Sequence, residues 1–292
     1  MKAENYVVAI PSYKRSRLVS KNTLHTLISK RVPKEKIYIF VANEKEKQDY
    51  LENVPKNMYH RIILGVIGLR DQRNYITKYF PEKQLIVELD DDVKDVLKLI
   101  PGKGKNREEI QKNNKLSPIK DLHSFIIGAF NTLINNEKNP HLWGVYPVDN
   151  PYFMSDKVTD DLRFVVGPMW GKINRKNKAL TLKLNEKEDF ERTLRHYKMD
   201  KSVIRFNNVT INTAYYTTPG GMQSEDKDRY VEAEKSANFL EKNFPTLVTK
   251  YYKGKTQRPE VRLKDRDEKN KKKTKINTDK KHMLRKTKKK NK

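Results

Sequence analysis

Three consecutive aspartates, Asp90-Asp91-Asp92, follow directly on the apolar run Leu85-Ile86-Val87-Glu88-Leu89. Carboxylates this close repel one another, so something cationic is expected to offset them. Hard divalent ions such as Mg2+ or Mn2+ take oxygen ligands and usually bridge to substrate phosphates. The position favours that reading, because ligands of parallel α/β sheets bind at the carboxyl ends of the strands. The same triplet also reads as a solvated acidic turn capping the next helix. A second cluster runs Gly65-Val66-Ile67-Gly68-Leu69-Arg70-Asp71-Gln72-Arg73-Asn74. Its glycines allow close backbone approach, and Arg70 and Arg73 offer planar donors to phosphate or sugar hydroxyls; a plain strand-to-helix turn with a surface ion pair would look the same. A third, Pro11-Ser12-Tyr13-Lys14-Arg15, presents an aromatic ring on which a base could stack. The fourth is Glu186-Lys187-Glu188-Asp189-Phe190-Glu191-Arg192. A carboxylate there, at the mouth of a cleft, could take a proton from a hydroxyl, or the acids could simply start a helix.

Strands and helices alternate in the segment that carries the first three clusters. Apolar runs at 6–10, 37–41, 61–65 and 85–89 read as buried strands, and helical spacing over 18–28, 44–51 and 72–79 fills the gaps. That alternation predicts an α/β fold with a mainly parallel sheet covered by helices on both faces. Residues 101–118 are polar and rich in Gly and Asn, and read as a mobile loop. Helices are expected at 121–135, 186–195 and 230–244, with strands through 142–184. Residues 203–216 read as a hairpin or an excursion at the sheet edge. The domain is expected to run over 1–263 and a basic, disordered tail over 264–292.

Composition removes several alternatives. The 292 residues contain no cysteine, which excludes disulfide frameworks, thiolate metal sites and cysteine nucleophiles. No apolar run approaches the roughly 20 residues of a membrane-spanning helix, and the first residues do not resemble a secretory signal. A soluble, intracellular protein without membrane contact is expected. Net charge is +26; residues 253–292 hold 19 basic and five acidic side chains, leaving +12 on the remainder. A polyanionic partner is one reading of that excess, since clustered cations release counterions from phosphates; a Lys-rich composition that keeps the protein soluble is the other.

The four clusters in this order resemble nucleotide-sugar glycosyltransferases of the GT-A (Rossmann-like) fold. The matching pieces are a first strand ending in Pro11-Ser12-Tyr13, a helix start at Arg73-Asn74, an Asp90-Asp91-Asp92 similar to the Asp-x-Asp motif, and the Glu188-Asp189 pair. More narrowly, Ile10 to Arg15, Gly68 to Asn74 and Lys253 to Leu263 resemble the TET-associated glycosyltransferases of phages and large viruses, a group related to the base J glucosyltransferase. The resemblance spans roughly residues 5–266 and implies a metal-dependent, inverting transfer of sugar from a UDP-sugar to hydroxymethylated pyrimidines in DNA, in the host cytoplasm or nucleus if the source is viral. It implies that Asp92 ligates Mn2+ or Mg2+ with Asp90 assisting, and that Pro11, Ser12, Tyr13 and Arg15 line a uridine pocket. Arg70, Arg73, Asn74 and Asp91 would serve the diphosphate or sugar, with Trp170 and Gly171 beside the donor sugar. Asp189 would be the general base, with Glu188 next to it. One departure stands out: many GT-A enzymes use a late histidine as a metal ligand, and the only histidine after His196 is His282, inside the tail. The third protein ligand is therefore unassigned. A protein or glycan acceptor is the first alternative, and an inactive transferase core that binds nucleic acid the second.

Overall fold

A computed structural model describes residues 1–214, 229–255 and 257–264. The expected tail, His282 included, lies outside the described residues except for Lys264, and so does the 215–216 end of the segment read as a hairpin. The first hundred residues alternate as expected. β1 (Val7–Pro11) leads through α1 (Ser16–Val19), a π-helical turn and α2 (His25–Ser29) to β2 (Ile37–Val41). Then follow α3 (Glu44–Asn53), β3 (Arg61–Leu64), α4 (Leu69–Tyr79) and β4 (Leu85–Leu89). These four strands are parallel, in the order β3-β2-β1-β4. All residues of β4 and four of five in β1 are buried, which is why both read as unbroken apolar runs.

The second half extends the same sheet with mixed pairing. Its elements are β5 (Val93–Ile100), α5 (Arg107–Asn113), β6 (Lys115–Pro118), α6 (Leu122–Ile134), β7 (Leu142–Tyr146), β8 (Val158–Thr159), β9 (Met169–Ile173), α7 (Glu188–Asp200) and β10 (Ile204–Thr213). The ten-stranded order continues β4-β9-β7-β10-β5-β6, with β8 also on β10. Two expectations change here. The segment expected as a mobile loop holds α5, whose N-cap Asn106 accepts a hydrogen bond from the Glu109 amide at 3.0 Å, and β6, which pairs with β5. The segment expected as a hairpin is instead one strand, β10, central in the sheet between β7 and β5. Its irregular pairing, with register shifts against both neighbours, hides a simple period-two pattern.

One face of the sheet packs Ile10, Ile39, Val87 and Leu89 against Leu24, Leu27, Tyr50 and the α6 residues Ile126 and Phe130. The other is covered by α4 through Ile76 and by α7 beside Trp170. A smaller cluster joins α7 to α8 (Arg229–Asn243) and to a two-stranded hairpin, β11 (Val248–Lys253) with β12 (Arg258–Leu263). Among the described residues no helix is long and apolar enough to cross a membrane.

Candidate active site

The acidic triplet is the turn between β4 and β5, and the neighbouring elements fix it from three sides. From below, the π turn after α1 supplies Thr23, whose hydroxyl donates to the Asp90 carbonyl at 2.8 Å and accepts from the Val93 amide at 3.0 Å. Single π turns occur often at functional sites, because the extra residue re-aims a side chain. From the side, the Asp90 amide donates to the Pro168 carbonyl at 3.0 Å, tying the turn to the start of β9. From the β1 loop, Ser12 Oγ donates to Asp91 Oδ2 at 2.6 Å and Arg15 Nη1 pairs with Asp91 Oδ1 at 2.9 Å. The buried Tyr50 hydroxyl on α3 meets Ser12 Oγ at 2.6 Å and accepts the Arg15 amide at 3.1 Å, so the β1 loop is held as well.

Asp91 is therefore spoken for, and Asp92 is the open carboxylate. Its nearest cation, Arg15 Nη1, stands 3.9 Å away. Burial pushes the Asp92 carboxyl up to about 7, the charges of Asp90 and Asp91 add to this, and Arg15 opposes it. The donor set, Asp92 with its nearest cation 3.9 Å away and an Asp90 whose Oδ1 alone meets Arg73, fits a divalent cation that would complete its shell with phosphate oxygens. Among the described residues no group of three or more His, Cys, Asp or Glu is placed to hold a metal ion by itself.

Arg73 links this turn to the second acidic pair. Gly68, with φ 92°, makes the entry to α4 in a conformation that glycine adopts without penalty. One turn later Arg73 points inward with only 1% of its side chain exposed. Its guanidinium meets Glu88 at 3.2 Å, Asp90 at 3.0 Å and Glu188 at 3.1 Å, and donates to the Gly167 carbonyl at 3.4 Å. Burial alone would lower its pKa, but the carboxylates of Asp90, Glu188 and Glu88 outweigh that and hold it above the usual arginine value. Lys172 on β9 balances Glu88 from the other side at 3.0 Å, and Arg192 on α7 approaches Glu188 at 3.8 Å.

The first turn of α7 completes the site. Glu188 Oε2 accepts the Asp189 amide and Asp189 Oδ1 accepts the Phe190 amide, each at 2.8 Å. A methyl group placed at Gly167 would stand 3.8 Å from Asp189 Oδ2, 3.8 Å from Glu188 Oε1 and 3.9 Å from Arg73 Nη2. Arg73 and the Glu188-Asp189 pair thus converge on the backbone at Gly167, and Arg73 ties Asp90 of the triplet to the same place. The Asp189 carboxyl is raised to about 7, first by burial and then by the charge of Glu188, with Arg192 opposing. A carboxylate poised there can accept a proton near neutral pH.

The remaining residues named from sequence fall into two groups. Pro11 is buried at the end of β1, and Tyr13 is half-buried with Lys14 Nζ 4.9 Å from its ring centroid, both beside Ser12 and Arg15. Arg70 is turned to Asp71 at 2.7 Å and to the Lys183 carbonyl. Asn74 clamps residue 182, donating to the Leu182 carbonyl and accepting its amide, both at 2.9 Å. Trp170 is 1% exposed and lies under the Arg192 guanidinium, 3.9 Å from its ring centroid. A Cβ at Gly171 would come within 2.3 Å of the Trp143 indole. These two positions are therefore interior packing. Sequence reasoning missed Tyr50, Thr23, Glu88 and Lys172, and gave Arg192, at the end of the fourth cluster, no role. Glu88 and Lys172 do carry a signal, since a charge inside an apolar strand needs a partner; the others sit on helices with no local mark.

No family model matches the chain, and no curated protein matches it. Among solved structures it is similar to S. aureus TarS 1–349, with TM-score 0.42 and 13% identity over 70% of this chain and 59% of that one. The complex of TarS 1–349 with UDP gives TM-score 0.44 at the same identity and coverage. The 4-diphosphocytidyl-2C-methyl-D-erythritol synthase of Anaerococcus prevotii gives TM-score 0.38 and 12% identity over 73% of this chain and 93% of that one. The chain thus spans less than two thirds of the TarS 1–349 length, and no residue role follows from identities this low.

Proposed function

We propose that the chain is a nucleotide-sugar-dependent glycosyltransferase using a UDP-sugar donor. The observation that carries this reading is that Arg73, lying against Gly167, bridges two acidic groups with different surroundings. One is an open oxygen-donor turn at the carboxyl end of a parallel strand; the other ends in a carboxylate raised to about 7. That division suits a displacement in which diphosphate leaves from one side and an acceptor hydroxyl is deprotonated on the other. Asp92 and Asp90 would hold Mn2+ or Mg2+, which supplies positive charge against the developing charge of the departing nucleoside diphosphate. Asp189 takes the proton of the acceptor hydroxyl, whose oxygen forms the new bond to the anomeric carbon as the bond to the diphosphate oxygen breaks, with inversion. Ser12, Arg15 and Tyr50 hold the β1 loop that would flank the nucleotide, and Tyr13 offers the base a ring.

For the acceptor, we take hydroxymethylated pyrimidines in DNA. The GT-A and TET-associated resemblance supports that choice, as does the +12 balance of the chain outside residues 253–292. The test incubates purified protein and Mn2+ with a panel of UDP-sugars and DNA containing 5-hydroxymethylcytosine or 5-hydroxymethyluracil, followed by nucleoside mass spectrometry. A hexose or pentose mass shift is expected, absent in Asp92→Ala and Asp189→Ala. Metal-dependent UDP release without a shift would move the acceptor to protein or glycan. Silence in both would refute the enzyme reading in favour of a nucleic-acid-binding core.

A further inference from the structure

The helix carrying Glu188 and Asp189 starts from a residue in an unusual backbone state. Lys187, its N-cap, has φ 60° and ψ 29°. An L residue stays in this left-handed region only where its surroundings over-determine it. Lys187 gives the helix no side-chain cap, and the first-turn amides are taken by the two acids themselves. Glu188 Oε1 is then left for Arg73, and Asp189 Oδ2 is left toward Gly167. The direction in which the chain enters α7 therefore sets where that last oxygen points.

What holds the entry is remote in sequence. The Lys187 side chain does not run into solvent; it is 7% exposed, with Nζ 2.9 Å from Glu260 Oε2 on β12 and 3.8 Å from Glu186. Arg258 of the same strand reaches Glu186 at 2.7 Å. Two ion pairs thus fasten the β11–β12 hairpin across residues 186–187, immediately before the acidic pair. The hairpin has its own anchor, because Val248, Val261 and Leu263 pack with Leu184, Leu194, Leu240 and Phe244. A lysine ammonium with most of its surface removed from water interacts more strongly with Glu260 than an exposed pair does.

We infer that the β11–β12 hairpin is a clip on the start of α7 and that Lys187, through Glu260, is a positioning residue for Asp189. The inference rests on the reading of Asp189 as the proton acceptor. Its signature is a fall in kcat with little change in donor KM, since the ion pairs of the clip fall on residues 186–187, directly before Asp189. Displacing a catalytic group by a fraction of an ångström to one ångström lowers turnover by about ten- to a hundredfold.

The experiment compares Lys187→Met, Glu260→Gln, Lys187→Arg and Asp189→Asn in the full chain. UDP release is measured with Mn2+ and UDP-glucose, UDP-galactose or UDP-N-acetylglucosamine, alongside hydrogen exchange of the peptide spanning 185–194. Lys187→Met and Glu260→Gln are expected to exchange faster in that peptide and to lose about tenfold in kcat with donor KM changed less than about twofold. Lys187→Arg, which keeps the charge and the reach, should restore kcat to within about threefold of the parent. Unchanged exchange overturns the clip, and faster exchange at unchanged kcat overturns the positioning role. A silent Asp189→Asn beside an unaffected Glu260→Gln sinks this inference alone. An active Asp189→Asn, or a parent that releases no UDP from any donor, removes the general-base reading and this inference with it.

Discussion

Arg73→Met is the sharpest probe of the charge network. Methionine keeps most of the aliphatic volume, so the loss is mainly electrostatic. The substitution removes the contacts to Glu88, Asp90 and Glu188 at 3.0 to 3.2 Å. None of the three is left wholly alone, since Glu88 keeps Lys172 at 3.0 Å, Glu188 keeps Arg192 at 3.8 Å, and the Asp90 side chain is 30% exposed. Breaking a buried pair from one side costs about 3–5 kcal/mol, and the residual partners place this case near the lower bound, at about 3 kcal/mol. Against a typical stability of about 5–15 kcal/mol the variant still folds.

The pH dependence separates this account from simple loss of packing. Without the guanidinium, Asp90, whose carboxyl burial already holds above the usual carboxylate range, loses the charge that lowers it and is raised further. Groups raised in this way favour the fold at pH values below the unfolded pKa, and that contribution is lost as pH rises through the folded pKa. The deficit of Arg73→Met should therefore be largest at pH 8 and shrink toward pH 5. Urea unfolding followed by the fluorescence of Trp143 and Trp170 reads it directly, as a midpoint drop of roughly 1 M at pH 8 with an unchanged slope. Equal midpoints at pH 8, or a deficit that does not change with pH, would refute the reasoning.

Three further outcomes are expected. With Asp189 raised to about 7 and active only when ionised, the rate should climb through neutral pH and level above it; Asp189→Asn should lose about 100-fold or more and the pH limb with it, in pH–rate profiles of UDP release. Asp92, raised to about 7 by burial and its neighbours, penalises the fold once ionised, so Asp92→Asn should melt higher than the parent at pH 8 by the equivalent of about 1 kcal/mol, show no gain at pH 4, and abolish metal-dependent turnover. Gly171→Ala, whose new methyl would meet the Trp143 ring at 2.3 Å, should lower stability by about 1–3 kcal/mol in thermal melts.

Much of this architecture is legible in the chain because burial on both faces writes itself as unbroken apolar runs. Leu85 to Leu89 ends at three aspartates, and that boundary alone places the acidic turn at the carboxyl end of a strand. Long strands such as β10 leave a weaker trace, since two register shifts break its alternation. Within the site, residue types are readable but directions are not. Arg73 and Trp170 look equally suited to a ligand in sequence; α4 turns Arg73 onto three carboxylates, and β9 turns Trp170 beneath Arg192. The choice of Asp189 as the proposed proton acceptor rests on charge. Linked to one another through ion pairs or neighbouring charge stand the cations Arg73, Lys172 and Arg192, and the carboxylates Glu88, Asp90, Glu188 and Asp189. The first three carboxylates take up the cations, while Asp189 has no ion-pair partner among the described residues, and burial lifts it to about 7. The network leaves one carboxylate over, and it is the one to which the proposed mechanism gives the hydroxyl proton.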